Sequence, residues 1–273
     1  MKAYGYGYGL PFVKGSKNSV EALAWKARIE ANGGTISQAL LDIFDTNLIT
    51  PLVANGTWAE LDRLNIYCGL VGFEIAARTN LIKTAHYVTP VSSPTFDQFG
   101  YKTSGTSYLN LNYNPSTQGV KLVQNSANIG CVVKAPQFSA NRFPIGCQNA
   151  AETQILRIRR TSSGANTYVN RDSGTSSTSV SVTAQSGNTY IAGVRTTSTA
   201  ESIWINGTQT IGSTSASSVR PNLNMFELTI NNNNTPQGNY DDNSHLASWC
   251  GSGAINNTTF RTILNNLFTA LGV

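Results

Sequence analysis

The two histidines are the first residues to examine for chemistry, because a Ser/His/Asp or Cys/His triad would need one of them. His86 lies in the segment AHYVTP and His245 lies in DDNSHLASW. Neither segment contains G-x-S-x-G, and the two residues do not form an HxxxH zinc motif. We therefore predict two hydrogen-bonded structural histidines, no catalytic residue and no metal ligand.

Paired carboxylates offer a second kind of chemistry, since two of them held about 5–10 Å apart can hydrolyse a glycosidic bond. The chain has only 14 acidic residues, and an E-x-D-x-E strand is absent from it. Glu227 alone lies in the middle of a predicted core strand, and it has no acidic neighbour at i±2. Hydrolysis by paired carboxylates is therefore disfavoured.

The densest cluster of oxygen ligands is Asp241-Asp242-Asn243, which follows Tyr240. Backbone carbonyls could complete a Ca²⁺ site there, but the sequence favours a solvated turn before a strand. An exposed aromatic ring beside polar side chains can stack on a sugar and fix its hydroxyl groups. We predict a glycan contact at Tyr240, Asp241, Asp242 and Asn243, and no cofactor. Trp204 and Trp249 alternate with small or apolar residues and are predicted to lie in the core.

The cysteines Cys68, Cys131, Cys147 and Cys250 form no CxxC pair, so neither a zinc site nor a redox motif is indicated. The sequence shows no signal peptide and no apolar run approaching the roughly 18 residues that cross a bilayer. We expect synthesis in a reducing cytoplasm, buried cysteines that act as small hydrophobes, and no membrane partner.

Composition narrows the fold class. Charged residues make up 12% of the 273 residues, against a typical share of about 25%. Asn, Ser and Thr account for 86 residues, which favours short strands joined by hydroxyl-rich turns. The net charge is +5, but Arg157, Arg159 and Arg160 are the only local cluster, and we interpret them as a solvated strand face. Without an RNP, helix-turn-helix or zinc-finger spacing, no nucleic-acid partner is predicted.

The N-terminal part divides into an extended arm, 1–17, and a helical attachment region, 18–64. In the arm Tyr4, Tyr6 and Tyr8 alternate with glycines, which places three rings on one side of an extended chain. These rings, with Phe12, would dock on the particle or on a sister subunit, and a frayed terminus is the alternative. Signals for helix ends follow the arm. Asn18, with Glu21, is predicted to cap a first helix that ends at Asn32-Gly33-Gly34. Ser37 is predicted to cap the next helix, a further short helix ends at Asn55-Gly56, and a helical turn over 57–64 leads into a strand at 65–68.

From about residue 85 onward, short runs with period two alternate with turn residues. Asn206-Gly207 predicts a two-residue hairpin with positive φ at both positions. Asn256 or Asn257 opens a C-terminal amphipathic helix that ends at Gly272. We predict a mainly β protein whose residues 65–273 form an antiparallel β-sandwich (jelly roll) with this helix attached. The predicted strands are 107–113, 127–134, 143–148, 153–160, 166–170, 178–183, 188–196, 201–205, 208–211, 223–231 and 245–251.

Two stretches carry a family resemblance over about residues 35–273. The first has Trp58-Ala59-Glu60-Leu61-Asp62, then Ser93-Pro94-Thr95-Phe96, then Gly105-Thr106-Ser107-Tyr108-Leu109 and Asn114-Pro115; the second has Gly251-Ser252-Gly253 and a helix ending Leu271-Gly272. This series resembles the concanavalin A-like (laminin-G-type) jelly-roll proteins that tailed bacteriophages encode. Cys250 and the Tyr/Gly arm depart from the family pattern.

The resemblance implies a structural protein on the exterior of a virion, in a head or tail fibre or a decoration. Its partners would then be other virion proteins and further copies of itself, with a trimer as one symmetric arrangement. No matched position carries a ligand or catalytic residue. The first hypothesis is a non-enzymatic virion protein, the second is a binder of a host surface glycan, and the third is a glycan depolymerase.

Overall fold

The computed structural model describes residues 18–68, 72–136, 140–162, 165–171, 178–181, 187–212, 217 and 219–273, with the backbone alone at 165–171 and 178–181. The predicted docking residues Tyr4, Tyr6, Tyr8 and Phe12 lie outside these residues. Among the helices of the described part, none is long and apolar enough to cross a bilayer.

Five α-helices and seventeen strands are present in the described residues. The helices are α1 (Val20–Ala31), α2 (Gln38–Phe44), α3 (Thr50–Ala54), α4 (Glu74–Arg78) and α5 (Asn257–Leu271), with a π-helical turn at Asp45–Ile49 and a 3₁₀ turn at Thr57–Glu60. The strands are β1 (Leu61–Ile66), β2 (Thr89–Val91), β3 (Thr95–Asp97), β4 (Gly100–Lys102), β5 (Tyr108–Asn110), β6 (Ala127–Lys134), β7 (Arg142–Gln148), β8 (Ile155–Arg160), β9 (Ala165–Arg171), β10 (Thr178–Ser181), β11 (Asn188–Arg195), β12 (Glu201–Ile205), β13 (Thr208–Ile211), β14 (Phe226–Glu227), β15 (Asn231–Asn232), β16 (Thr235–Pro236) and β17 (His245–Gly251).

These strands form two sheets that pack as a sandwich, so the predicted fold class is confirmed. The first sheet has the order β13-β12-β11-β6-β17-β4-β3, with β1 also paired to β17. The second has the order β10-β9-β8-β7-β14-β5-β2, with β15 and β16 attached at β7. Every pairing is antiparallel except that of β15 with β7.

The hairpin between β12 and β13 shows how local sequence sets the register. Asn206 has φ 50° and Gly207 has φ 85°, which is the left-handed backbone that a two-residue turn requires. Ile205 consequently lies opposite Thr208. The prediction from the Asn-Gly pair is confirmed.

The first helix begins one residue later than predicted. Ser19, not Asn18, caps α1, because its Oγ accepts a hydrogen bond from the Ala22 amide. The Asn18 amide group instead donates to Asp42 over 2.8 Å. The caps predicted at Ser37, Asn256 and Gly272 are confirmed.

β1 occupies residues where the sequence predicted a helical turn. Leu61–Ile66 pairs with β17, so the chain becomes extended directly after the turn at Thr57–Glu60. The prediction of a strand beginning at Asn65 was four residues late, because pairing with a distant strand overrides a local helical pattern. β1 therefore crosses the predicted boundary between residues 64 and 65.

Helix α5 covers the outer face of the first sheet. Trp249 on β17 stacks on Tyr190 of β11 at 4.8 Å and meets Phe260 of α5 at 5.1 Å. Asn257 at the start of α5 accepts a hydrogen bond from the Tyr190 hydroxyl. Trp249 is fully buried, as predicted for the core, and all four cysteines are buried and unpaired with one another.

Gly130 of β6 makes this packing possible, which leads to a prediction. A Cβ at Gly130 would lie 2.1 Å from Trp249 Cζ2 and 2.6 Å from the Ile191 carbonyl oxygen. Gly130→Ala should therefore lower the free energy of unfolding by about 1–3 kcal/mol through overpacking, as measured by urea denaturation. Gly187→Ala is the matched control, since nothing lies within 4 Å of its added Cβ. Equal stability of the two variants would contradict this account of the sheet–helix contact.

Candidate functional site

The outer face of the second sheet is partly exposed, and a row of residues crosses it. Asn110, Phe226, Gly146 and Arg157 are successive cross-strand partners on β5, β14, β7 and β8. Strand alternation places Tyr108 on the same face as Asn110. We call this surface the outer face; Tyr108, Asn110 and Arg157 are half-buried on it, whereas Phe226 and Gly146 are buried.

An aromatic pair lies at one end of the outer face. The rings of Tyr108 and Phe226 are 4.6 Å apart at an angle of 34°. Tyr108 is half-buried and covers Phe226, which is 5% exposed. Burial raises the pKa of the half-buried Tyr240, and the nearby Tyr108 raises it further. A half-exposed tyrosine packed on a buried ring is a platform on which a flat apolar surface can stack.

Gly146 lets β7 and β8 approach closely in the middle of the outer face. Its φ is 148°, and a Cβ there would lie 2.5 Å from the Leu156 carbonyl oxygen and 2.6 Å from the Arg157 Cα. Only glycine lets β7 approach β8 so closely. The buried Gly146 lies between Phe226 and Arg157 in the row.

The predicted glycan-binding segment is split between the surface and the interior. Tyr240 is half-buried and Asp242 is exposed, and the Asp242 carboxylate pairs with Arg142 at 3.1 Å. Asp241 and Asn243 are buried, with 0% and 8% exposure. The solvated turn expected for this segment is therefore wrong for Asp241 and Asn243, since their side chains bind each other and interior groups. A sugar contact by Tyr240 and Asp242 stays a prediction.

The positive groups that surround Asp241 are side chains of the protein itself. Its carboxylate contacts the Arg160 guanidinium and the Nε2 atom of His245. Two positive groups on one carboxylate disfavour a Ca²⁺ ion at the same oxygens. Within the described residues no group of three or more His, Cys, Asp or Glu side chains is arranged to hold a metal ion.

Glu227 is the centre of a polar network sealed between the two sheets. Its Oε2 accepts hydrogen bonds of 2.7 Å from both the Tyr67 and the Ser248 hydroxyls. Its Oε1 lies 2.8 Å from His245 Nδ1, and the Arg63 guanidinium lies 4.0 Å away. We call Arg63, Tyr67, Arg160, Glu227, Asp241, His245 and Ser248 the buried network.

The charges in the buried network stabilise one another. Burial alone would lower the pKa of His245, but its hydrogen bonds to Asp241 and Glu227 outweigh this and raise the pKa to about 9. Burial alone would raise the pKa of Asp241, but Arg160 and His245 hold it well below its usual range. His245 is therefore a charged imidazolium at neutral pH.

The buried network contains residue types that catalyse reactions elsewhere, but its members are not accessible. All seven residues of the buried network are 0% exposed. No substrate can touch these groups in this structure. Both histidines are hydrogen-bonded, as predicted: His245 Nδ1 lies 2.8 Å from Glu227 Oε1, and His86 Nδ1 lies 2.8 Å from the Asn112 carbonyl oxygen.

Sequence reasoning missed the inward-facing arginines. Arg160 was interpreted as part of a solvated face, yet it is fully buried, while Arg157 and Arg159 on the same strand are half-buried. The signal was available, because Arg160 continues the inward alternation of Leu156 and Ile158. The aromatic pair had no such signal, since Tyr108 and Phe226 meet only through strand pairing.

Comparison with known proteins shows the fold. No protein-family model matches the sequence, and no curated protein does. Among solved structures, a Trypanosoma rangeli sialidase mutant with trans-sialidase activity is similar over 92% of this chain and 38% of its own, with 9% identity and a TM-score of 0.55. Botulinum neurotoxin type C, in a study of its dependence on two ganglioside molecules, is similar over 78% of this chain and 53% of its own, with 13% identity and a TM-score of 0.55.

A third similar structure is the binding domain of botulinum neurotoxin serotype D, with 12% identity, a TM-score of 0.50, and coverage of 76% of this chain and 52% of that one. The chain thus spans about half the length of the toxin chains and about a third of the sialidases. At these identities the likeness establishes the class of fold, a lectin-like β-sandwich. The narrower phage family stays a resemblance in sequence.

The buried network leads to a prediction of pH dependence. His245 has a folded-state pKa of about 9, above the value of about 6.5 for an unfolded histidine. Its contribution is therefore complete below about pH 6.5 and is lost as the pH rises through about 9. We expect the free energy of unfolding, measured by urea denaturation, to fall over this window by on the order of a few kcal/mol.

The variant His245→Gln isolates this effect. It should be less stable than the wild type at pH 6.5, and the difference between the two should shrink as the pH approaches 9.5. His86→Gln is the control and should keep the wild-type alkaline decline, because burial lowers the pKa of His86. A constant difference between His245→Gln and wild type across the window would show that His245 is not charged when buried.

Proposed function

We propose that this protein is a non-enzymatic, lectin-like module that binds a glycan on its outer face. The observation that carries the proposal is the half-exposed Tyr108 ring, which is packed on Phe226 with Tyr240 beside it. Sugar rings have an apolar face that stacks on such a platform, and tyrosine hydroxyls at its edge bind water or sugar hydroxyls. The lectin-like fold supports this assignment without identifying a ligand.

The absence of catalysis is part of the proposal. The carboxylates that could act as acid and nucleophile, Glu227 and Asp241, are buried and already bound to arginine and histidine. Glycoside hydrolysis requires two carboxyl groups that flank an accessible bond. Release of reducing sugar by the wild type, abolished in Glu227→Gln, would establish the depolymerase hypothesis in its place.

The biological setting is proposed from the sequence resemblance alone. A fibre or decoration on the exterior of a bacteriophage would use residues 1–64 for attachment and would present the sandwich outward. Virion proteins and further copies of the chain, in a trimer for example, would be its partners. Cryo-electron microscopy of particles, with this chain located in the density, tests the setting independently of glycan binding.

A glycan array tests the binding function, with Tyr108→Ala as the diagnostic variant. We expect the wild type to bind a defined set of glycans, and we expect the variant to lose at least tenfold in affinity because the stacking platform is gone. Tyr87→Ala is the matched control; Tyr87 is also half-buried, but it stacks with Arg78 instead. Equal binding by wild type and Tyr108→Ala would place the site elsewhere.

A further inference from the structure

We propose that a groove beside α1 is the docking site of the chain's own N-terminal arm, and that the ring of Phe12 fills it. This inference goes beyond the proposed function, because it concerns the helical region and not the outer face. It places Phe12 on the same chain rather than on the particle or on a sister subunit. An uncovered apolar stripe, a groove of the size of one ring and the point where the arm joins α1 carry it.

Helix α1 has apolar residues on two sides. Ala22, Trp25 and Ile29 are buried against the protein. A second set, spaced at i, i+3, i+4 and i+7, is exposed: Val20, Leu23, Ala24 and Ala27. Val20 is 78% exposed and Leu23 is 50% exposed. A helix that is apolar all round is normally buried all round, so the described residues leave a face of α1 that fits an apolar partner.

A groove runs beside this exposed stripe. It has a volume of about 120 Å³ and is lined by Val20, Glu21, Ala24, Arg28, Trp58 and Ile82. An apolar cavity of about 150 Å³ takes up one benzene molecule, so the groove is of the size for a single ring. Trp58 offers a ring edge or face for aromatic packing, and Arg28 offers a guanidinium that is attracted to a ring face. The lining therefore favours an aromatic side chain as the occupant.

Arg28 is already positioned at the wall of the groove. Its Nε donates a hydrogen bond of 3.2 Å to the Asn80 carbonyl oxygen, and its Nη2 donates to the Leu81 carbonyl oxygen. A side chain held in this way loses little conformational entropy when a ring packs on it. The groove is consequently preformed for its occupant.

The arm joins the protein beside the groove. The described chain begins at Asn18, two residues before Val20, and Phe12 is the aromatic residue of the arm nearest to α1 in sequence. The chain from Phe12 to Val20 can span up to about 26 Å, whereas Val20 and Arg28 are about 12 Å apart along the helix axis. Gly15-Ser16 lies between them in sequence, and these residue types permit a reversal of the chain. Phe12 is therefore within reach of the whole groove.

Charge and connectivity favour the chain's own arm as the occupant. Residues 1–17 contain three lysines and no acid, and Lys14 and Lys17 are the two nearest to α1. The described residues at this end of α1 include Glu21 on the groove and Asp45, whose carboxylate accepts hydrogen bonds from Ser19. A short covalent connection also gives the arm an effective concentration on the order of millimolar at its own groove, so it competes well against the arm of another copy.

The reactivity of a thiol at position 24 measures whether the groove is covered. The described residues leave Ala24 exposed, so protection of Ala24→Cys from iodoacetamide would come from the arm. The four native cysteines are buried and their pKa values are raised, which keeps them unreactive. In the full chain we expect Phe12→Ala to speed the labelling of Ala24→Cys by about tenfold or more. Tyr4→Ala is the matched control, since it removes a ring from the same arm and should keep the protection.

A pair of cysteines that leaves Phe12 in place distinguishes the chain's own arm from that of another copy. Oxidation of Val13→Cys/Leu23→Cys should give a disulfide within one chain, with a yield that does not depend on protein concentration. Val13→Cys/Thr208→Cys is the control, because Thr208 is exposed on β13, four strands from β17. It should give little of this product. Circular dichroism and thermal unfolding confirm that each variant is folded.

The possible results separate this inference from the proposed function. Equal labelling of Ala24→Cys with and without Phe12 would overturn the inference. A disulfide between chains, with a yield that rises with protein concentration, would also overturn it, because the arm would then bind another copy. Glycan binding by Phe12→Ala should equal that of the wild type, so the glycan array and the thiol measurements can fail independently.

Discussion

The buried network is the interaction on which the rest of the structure depends. Glu227 and Arg160 come from the second sheet, whereas Arg63, His245 and Ser248 come from the first. Three positive groups and two carboxylates are sealed together away from water, so removing any one leaves a buried charge without its partner. Apolar side chains tolerate sliding, but ion pairs and directed hydrogen bonds do not. The network therefore specifies how the two sheets align.

The same network positions the outer face through chain neighbours. Glu227 follows Phe226, Arg160 follows Arg159, and Asp241 follows Tyr240. Side chains alternate between the two faces of a strand. Because Glu227 on β14 and Arg160 on β8 point into the network, their neighbours Phe226 and Arg159 point outward. The buried residues Glu227 and Arg160 thus fix the positions of their chain neighbours Phe226 and Arg159.

The sequence predicted the elements well and the interior poorly, for a physical reason. Local patterns such as Asn206-Gly207 and the repeat of apolar residues in α5 are determined by neighbouring residues, so a single sequence shows them. Burial of Arg63, Arg160 and Asp241 depends on partners far along the chain, such as Asp241 for Arg160. Charged residues are almost never fully buried without a partner, and so Arg160 and Asp241 were expected at the surface. The aromatic pair was hidden for the same reason, because its register comes from β5 and β14 meeting in space.

The unequal covering of the two sheets determines where a ligand can bind. The first sheet has α5 against it, through Trp249 and Phe260, and α4 lies beside β1, where Asn65 donates to the Ala77 carbonyl. The second sheet keeps half-buried tyrosine and arginine side chains on its outer face. Helix α5 and the half-buried tyrosines of the outer face are consequently on opposite sides of the sandwich. A partner that held the protein by its helical side would leave the outer face unobstructed, which is the arrangement that attachment and recognition by one chain require.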